Sequence, residues 1–335
     1  MTDATVEIRA ALAAMELASA NDDYVMTPLG GGVSCDVFAV DLPSGPVCVK
    51  RALPKLRVAE DWRAPPERSQ AEVAWIRLVG GIDPKLVPRI LGEDHQRHIF
   101  AMEYLPPERF VLWKSRLARG EVNTAFAAAV GAALARIHAT TADREDVAAA
   151  FDNGAQFHAL RIEPYLLYTA NRNPDVAVPV RKIATGIESS RIALMQGDIS
   201  PKNILCGPDG PVFLDAETAC YGDPAFDLAF CLNHLLLKGA WHPQFAGALV
   251  EAFSALKIGY FRNVTWENPV ELDRRTADLL SALLLARVDG KSPVEYLTDE
   301  SSREFVRKHA KAFLKSGSFT LDEIAGRWTE ALKAL

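Results

Sequence analysis

The chain has 335 residues, 49% hydrophobic and 24% charged, a balance that suits two lobes with a real core and excludes a disordered, fibrous or membrane-spanning protein. A formal charge of −6 speaks against a general binder of nucleic acid or anionic membrane, both of which attract basic patches. Cys35, Cys48, Cys206, Cys220 and Cys231 are scattered without zinc-type spacing, and the first residues lack a signal-peptide pattern, so a reduced, cytoplasmic protein is expected.

Apolar positions at helical spacing predict a first helix over 4–19, ending at Asn21-Asp22-Asp23. Short β-prone runs at 24–29, 35–42 and 46–52 follow, divided by Gly30-Gly31-Gly32 and by Pro43-Ser44-Gly45, which predicts an antiparallel meander. A charged, proline-containing loop over 54–68 leads to a helix at 69–79, and strands near 89–92 and 98–104 complete a five-stranded sheet. After Leu105-Pro106-Pro107 the pattern turns helical, at 124–140, 226–237, 245–255, 271–288 and 301–314. Only two strand-like pieces are expected there, 204–206 and 212–214, joined by the turn Gly207-Pro208-Asp209-Gly210. A β-rich half before a helical half predicts an α+β fold of two lobes, 1–105 and 107–335, with a hinge at 102–106.

The segment Gln196-Gly197-Asp198-Ile199-Ser200-Pro201-Lys202-Asn203, followed by the apolar run Val212-Phe213-Leu214 and Asp215, is the most informative stretch. It sets an aspartate five residues before an asparagine and delivers a second aspartate from a strand end. Kinase-type phosphoryl transfer needs such a set: one carboxylate orients an attacking hydroxyl, while an asparagine oxygen and another carboxylate hold magnesium. Asp198 is therefore the candidate base, and Asn203 and Asp215 are the candidate metal ligands. Gly30, Gly31 and Gly32 lie between two strands, where their amides would close over phosphate oxygens or simply form a turn. Lys50 ends the strand Val47-Cys48-Val49 and would point into a cleft, or else remain a solvated strand end. Glu72, on the next helix, would hold Lys50 by an ion pair, or serve the helix dipole.

Three other features receive structural readings. Asp227 opens an apolar helix and is expected to brace the 196–203 loop, and Asp223 to brace likewise or to contact substrate. Gly290-Lys291-Ser292 is no P-loop, because Leu285 stands where that motif requires its first glycine. His138, Trp241 and His242 are read as packing residues.

With these residues the chain resembles the aminoglycoside phosphotransferase and choline-kinase family of small-molecule kinases, which share a bilobal protein-kinase-like fold. The likeness runs from the glycine loop to about Leu297. The family's His-Gly-Asp-x-x-x-x-Asn appears as Gln196-Gly197-Asp198 through Asn203, its Ile-Asp-Trp/Phe-Glu as Leu214-Asp215-Ala216-Glu217, and its Gly-Asp-Pro-x-x-Asp-Leu-Ala stands intact at 222–229. Gln196 replaces a histidine and Ala216 an aromatic residue. No Ala-Pro-Glu signature follows Asp215, which disfavours a protein kinase.

The resemblance implies ATP and Mg²⁺ as cofactors, with 1–105 as the nucleotide-binding lobe and 107–335 as the catalytic and substrate-binding one. It implies phosphates held by Gly30, Gly31, Gly32, Val33, Ser34, Val37 and Lys50, and adenine against Glu103, Tyr104 and Leu105. The implied acceptor is a hydroxyl of a small molecule such as an aminoglycoside, an amino alcohol or a sugar, with Glu217, Tyr221, Arg287, Asp289 and Tyr296 as candidate contacts. The acids in that set lean toward a cationic acceptor. A nucleotide-binding pseudokinase or regulatory module is the alternative, because of Gln196.

Overall fold

In the computed structural model, which describes residues 3–19, 22–30, 34–55, 57, 64–317 and 319–333, a two-residue turn sets the register of the N-terminal sheet. Strands β2 (Cys35–Leu42) and β3 (Gly45–Ala52) pair from Leu42 opposite Gly45 to Cys35 opposite Ala52. Gly45 takes a φ of 117°, a region that side chains disfavour, which is why glycine stands at that corner. With β1 (Met26–Pro28), β4 (Ile90–Asp94) and β5 (Ile99–Glu103) the sheet is antiparallel in the order β1-β2-β3-β5-β4.

Strand alternation then sends side chains to two faces. Val40, Leu42, Val47, Val49, Ile99 and Ala101 pack on Ile8, Ala11 and Leu12 of α1 (Asp3–Ala14). Cys48, Phe100 and Met102 face the other way, onto Val73 of α2 (Arg68–Ile82). Lys50, two residues beyond Cys48, shares that second face.

The remainder is mainly helical. The short strand β6 (Val111–Leu112) leads into α3 (Trp113–Ala118), and α4 (Thr124–Thr141), α5 (Glu145–Ala150) and α6 (Gly154–Phe157) follow. A π-helical stretch, His158–Leu167, runs into α7 (Tyr168–Arg172) and is succeeded by α8 (Ala177–Ser189). Strand β7 (Ala193–Met195) pairs with β10 (Cys220–Gly222), while β8 (Ile204–Gly207) pairs with both β6 and β9 (Gly210–Phe213). The last five helices are α9 (Ala225–Trp241), α10 (Ala246–Phe261), α11 (Pro269–Asp289), α12 (Glu300–Ser316) and α13 (Leu321–Leu332). Helix α9 is buried continuously from Ala225 to Ala240 and forms the axis of the large core. Helices α4 and α10 cross on glycines: a Cβ on Gly131 would lie 2.1 Å from the Leu256 carbonyl oxygen, and one on Gly259 2.2 Å from that of Ala128.

Several expectations need correction. The first helix ends at Ala14 and not at 19. The helical half holds β6, β7 and β10 besides the two predicted strands; with two or three residues each, they are too short to show a period. The π-helical stretch escaped because Pro164 lies inside it, and a proline ordinarily ends a helical pattern.

Candidate active site

Strand pleat places Lys50 beneath α2, where Glu72 meets it. The ammonium lies 2.8 and 2.7 Å from the two oxygens of Glu72 and 2.5 Å from Asp215 Oδ1. Lys50 and Glu72 are 5% and 2% exposed, so this is a buried group in which one cation faces two carboxylates. One ammonium cannot neutralise both, and the two acids respond differently. Burial pushes the Glu72 carboxyl up to about 7, against the pull of Lys50. Asp215 also feels burial, but Lys50 and Lys202 outweigh it and hold that carboxyl down at about 2. The same carboxylates raise the Lys50 ammonium well above its ordinary value despite its burial.

Asp215 follows β9 in a left-handed turn with φ of 66°, an uncommon conformation for a residue other than glycine. Gln196 helps to hold that turn. Its amide nitrogen donates to the carbonyls of Leu214 (2.8 Å) and Asp215 (2.9 Å), while its side-chain oxygen accepts from the Asp198 backbone N–H (2.6 Å). From the other side Asp227 accepts the backbone N–H groups of Gln196 (2.7 Å) and Gly197 (2.8 Å), and its Oδ2 lies 3.4 Å from His138 Nε2. Leu214 N–H donates to the Asn203 carbonyl at 2.9 Å, so the loop and the Asp215 turn are joined twice over.

Within the loop, Asn203 Nδ2 donates to the Asp198 carbonyl (3.0 Å) and to Asp198 Oδ2 (2.8 Å). Asn203 Oδ1 accepts no hydrogen bond from a described residue. Asp198 Oδ2 also lies 3.0 Å from Lys202 Nζ and 3.3 Å from Arg161 Nη2. Arg161 was not among the sequence candidates. It is 6% exposed, donates to the carbonyls of Gly197 (2.6 Å) and Leu160 (2.7 Å), and comes from the π-helical stretch that the sequence pattern concealed.

Among the described residues, no cluster of three or more histidine, cysteine, aspartate or glutamate side chains could hold a metal ion. Asn203 and Asp215 offer an all-oxygen pair of the kind that suits Mg²⁺, an ion usually bound by one or two carboxylates together with phosphate oxygens and water. On the sheet face that carries Lys50, Leu29, Val37, Ile90 and Tyr104 pack around Cys48, Phe100 and Met102 as an apolar cluster. Glu103 is exposed at the end of β5, where its N–H donates to the Arg89 carbonyl (2.8 Å), and Leu105 is half-buried just beyond. A Cβ on Gly30 would meet no described residue within 4 Å, and Gly31, Gly32 and Val33 lie outside the described residues. Ser34 is buried, and its carbonyl accepts from Arg68 at 2.6 Å.

Three of the candidate acceptor contacts are engaged elsewhere. Glu217 receives Arg68 Nε at 2.8 Å. Tyr221 is 4% exposed, and its hydroxyl donates to the Ile192 carbonyl (2.8 Å) and accepts the Arg144 N–H (3.2 Å). Asp289 is gripped by Arg307 at 2.9 to 3.1 Å. With Glu217 and Asp289 neutralised in this way, the acidic lean of the site is withdrawn. Arg287 contacts Tyr165, and Tyr296 contacts His234 and Lys238.

Residues 25–263 match the model of the phosphotransferase enzyme family, APH. Methylthioribose kinase 1 of Oryza sativa subsp. japonica is 24% identical over 262 residues, covering 70% of this chain and 60% of that protein. The methylthioribose kinase of Escherichia coli O45:K1 (strain S88 / ExPEC) is 26% identical over 247 residues, 64% of this chain and 58% of that protein. The chain thus spans about three fifths of the length of these curated relatives. Among solved structures, an ethanolamine kinase of Plasmodium vivax superposes with a TM-score of 0.58 at 15% identity, covering 94% of this chain and 90% of that one. A spectinomycin phosphotransferase solved with ADP and spectinomycin gives 0.51 at 13% identity, with 97% and 99% covered. Identities this low speak for the fold alone, which is that of the protein-kinase-like small-molecule kinases. The family match takes in well over half of the chain and contains Lys50, Glu72, Asp198, Asn203 and Asp215, and the chain belongs to the phosphotransferase enzyme family.

Proposed function

We propose that the protein is an ATP-dependent phosphotransferase that passes the γ-phosphoryl group to a hydroxyl of a small molecule. The observation that carries this reading is the convergence of Lys50, Glu72 and Asp215 from three separate elements within 2.8 Å contacts, beside a loop that presents Asp198 and Asn203. Asp198 orients the acceptor hydroxyl and takes its proton, and its own position is set by Asn203, Lys202 and Arg161. Lys50, kept in place by Glu72, meets the nucleotide phosphates, and the apolar surface around Val37, Met102 and Tyr104 receives the adenine, with the backbone of Glu103 and Leu105 at its edge. Asn203 and Asp215 would hold Mg²⁺, which when bound supplies charge neutralisation along the terminal phosphates.

Most of the rate enhancement is then positioning and electrostatics, the usual sources in phosphoryl transfer. The case for a non-catalytic module rested on Gln196, and that side chain makes three hydrogen bonds that hold Asp198 and the Asp215 turn. No helix among the described residues is long and apolar enough to cross a membrane, and we keep the cytoplasmic assignment as part of this reading.

Release of ADP measured with Mg-ATP and a panel of small alcohols tests the reading, with phosphorus NMR on the products. Asp198→Asn should lower kcat by roughly 10²–10⁴-fold while AMP-PNP still binds, and Asp215→Ala should abolish metal-dependent turnover. Full activity in either variant would overturn the assignment.

A further inference from the structure

Beyond Asp198, the π-helical stretch, α9 and α11 bring together buried basic and aromatic side chains. Arg287 is 7% exposed, and its bonds to Tyr165 Oη (3.2 Å), to Ser292 Oγ (3.4 Å) and to the Ser292 carbonyl all run through Nη1. The Nε–Nη2 edge, the side of a guanidinium that grips an oxyanion by two parallel bonds, is unused, and Nε is buried with no partner among the described residues. Its ring contact is Tyr165, 5.4 Å away. Lys238 is 5% exposed and stands 4.4 Å from the Tyr296 ring and 5.1 Å from that of Trp241. No hydrogen bond or ion pair joins its ammonium to a described residue.

Tyr296 also meets His234, whose Nδ1 is 3.2 Å from Tyr296 Oη and whose Nε2 is buried with no partner among the described residues. Ser200 Oγ, in the loop that carries Asp198, is likewise buried with no partner among the described residues. The cluster reaches Asp198 through Arg161, whose guanidinium lies 5.8 Å from the Tyr165 ring and 6.0 Å from that of Phe230; Phe230 in turn touches His234.

Charge decides what this arrangement suits. Arg161 and Lys202 already have a counter-ion in Asp198, but Arg287 and Lys238 have none in contact among the described residues. The nearest influence of opposite sign on Lys238 is Glu295, an exposed residue, and burial together with nearby Lys114 still draws the ammonium down to about 8. Burying cations without counter-ions is costly, so the retention of Arg287 and Lys238, with Arg287 Nε, His234 Nε2 and Ser200 Oγ buried and lacking a partner among the described residues, points to a ligand that completes them. An ammonium-bearing acceptor would add like charge to a basic pocket. We propose that the acceptor carries an anionic group, a carboxylate or a phosphoryl group, besides its reacting hydroxyl, and that Arg287 receives that group with Lys238 and His234 beside it.

This proposal rests on the phosphotransferase reading, and the two fail separately. Protein loaded with Mg²⁺ and AMP-PNP is titrated calorimetrically with gluconate, glucose and glucosamine, which share a six-carbon polyol frame and differ in charge. Ribose 5-phosphate, ribose and 5-methylthioribose form a second set that separates a phosphoryl group from a carboxylate. Gluconate or ribose 5-phosphate should bind at least tenfold more tightly than its neutral and cationic counterparts. Arg287→Met and Lys238→Met should each weaken that anion at least tenfold, and Arg287→Lys should recover part of the affinity. Should Arg287→Met fail to fold by circular dichroism, Lys238→Met and Arg287→Lys decide. Equal or tighter binding of glucose, glucosamine, ribose or 5-methylthioribose, or no anion bound while AMP-PNP binds, overturns the proposal. Failure of AMP-PNP and Mg²⁺ to bind at all overturns the underlying reading instead.

Discussion

Glu72 and Asp215 show how two carboxylates on one lysine acquire opposite tendencies. Glu72 is the more deeply buried, so loss of water dominates and its proton is held up to about 7, above the ordinary 4.5. Between those values the folded state binds more protons than the unfolded chain, so Glu72 makes stability fall as pH rises from about 4.5 to about 7. Asp215 has the reverse sign. Its carboxyl is held at about 2 against an ordinary 3.8, so its contribution is present above 3.8 and is lost as pH falls toward 2. Burial keeps the His234 ring neutral well below its usual range, with a contribution that is lost as pH drops below 6.5 and so opposes the Glu72 slope. The difference between wild type and Glu72→Gln removes that background. Urea melts from pH 4 to pH 8 should show the wild type losing stability relative to Glu72→Gln as pH rises through this window; a constant difference would contradict the assignment.

At the level of elements, Arg68 fastens the two halves of the site. It is 1% exposed at the start of α2, donates to the carbonyls of Ser34, Leu53, Ala64 and Pro65, and binds Glu217 just beyond the Asp215 turn. No motif marks it, because an arginine at a helix start reads as a solvated charge until the fold brings five acceptors to it. Arg68→Met leaves Glu217 and several carbonyls unpaired, and breaking a buried pair of this kind costs about 3–5 kcal/mol. Chemical denaturation should show a loss of that size, and a change under about 1 kcal/mol would mean that Arg68 is not the fastening. Long elements such as α4, α9 and α11 were legible from their helical spacing, and the five strands of the N-terminal sheet from their turns. Strands β6, β7 and β10 were not, since two or three residues acquire strand geometry only from their partners.

Across the whole molecule, the apolar core divides into a cluster between the sheet and α1, a smaller one on the opposite face of the sheet, and a large one around α9 that α2 joins through Trp75, Ile76 and Val79. We place the boundary between the lobes near residue 105, with Lys50 and Glu72 on one side and Asp198, Asn203 and Asp215 on the other. A nucleotide that touches both sets should stabilise them together. Mg²⁺ with AMP-PNP at about 100 times Kd is expected to add roughly 2.7 kcal/mol to unfolding. Hydrogen exchange should slow in parallel over β3, α2 and residues 196–215. Protection confined to one side would refute a shared site.

By itself the sequence pointed to the chemistry we propose. The spacing of Asp198, Asn203 and Asp215, and of Lys50 and Glu72, lies in local runs that strand and helix periods convert directly into position. Only the tertiary structure decided which acids are left free and which cations gather where we propose the acceptor binds. Glu217, Tyr221 and Asp289 look available along the chain, yet folding gives them to Arg68, Ile192 and Arg307. Arg161, Arg287, His234 and Lys238 are scattered over the π-helical stretch, α9 and α11. They are linked through the rings of Tyr165, Phe230 and Tyr296 by long-range packing, which no local pattern records.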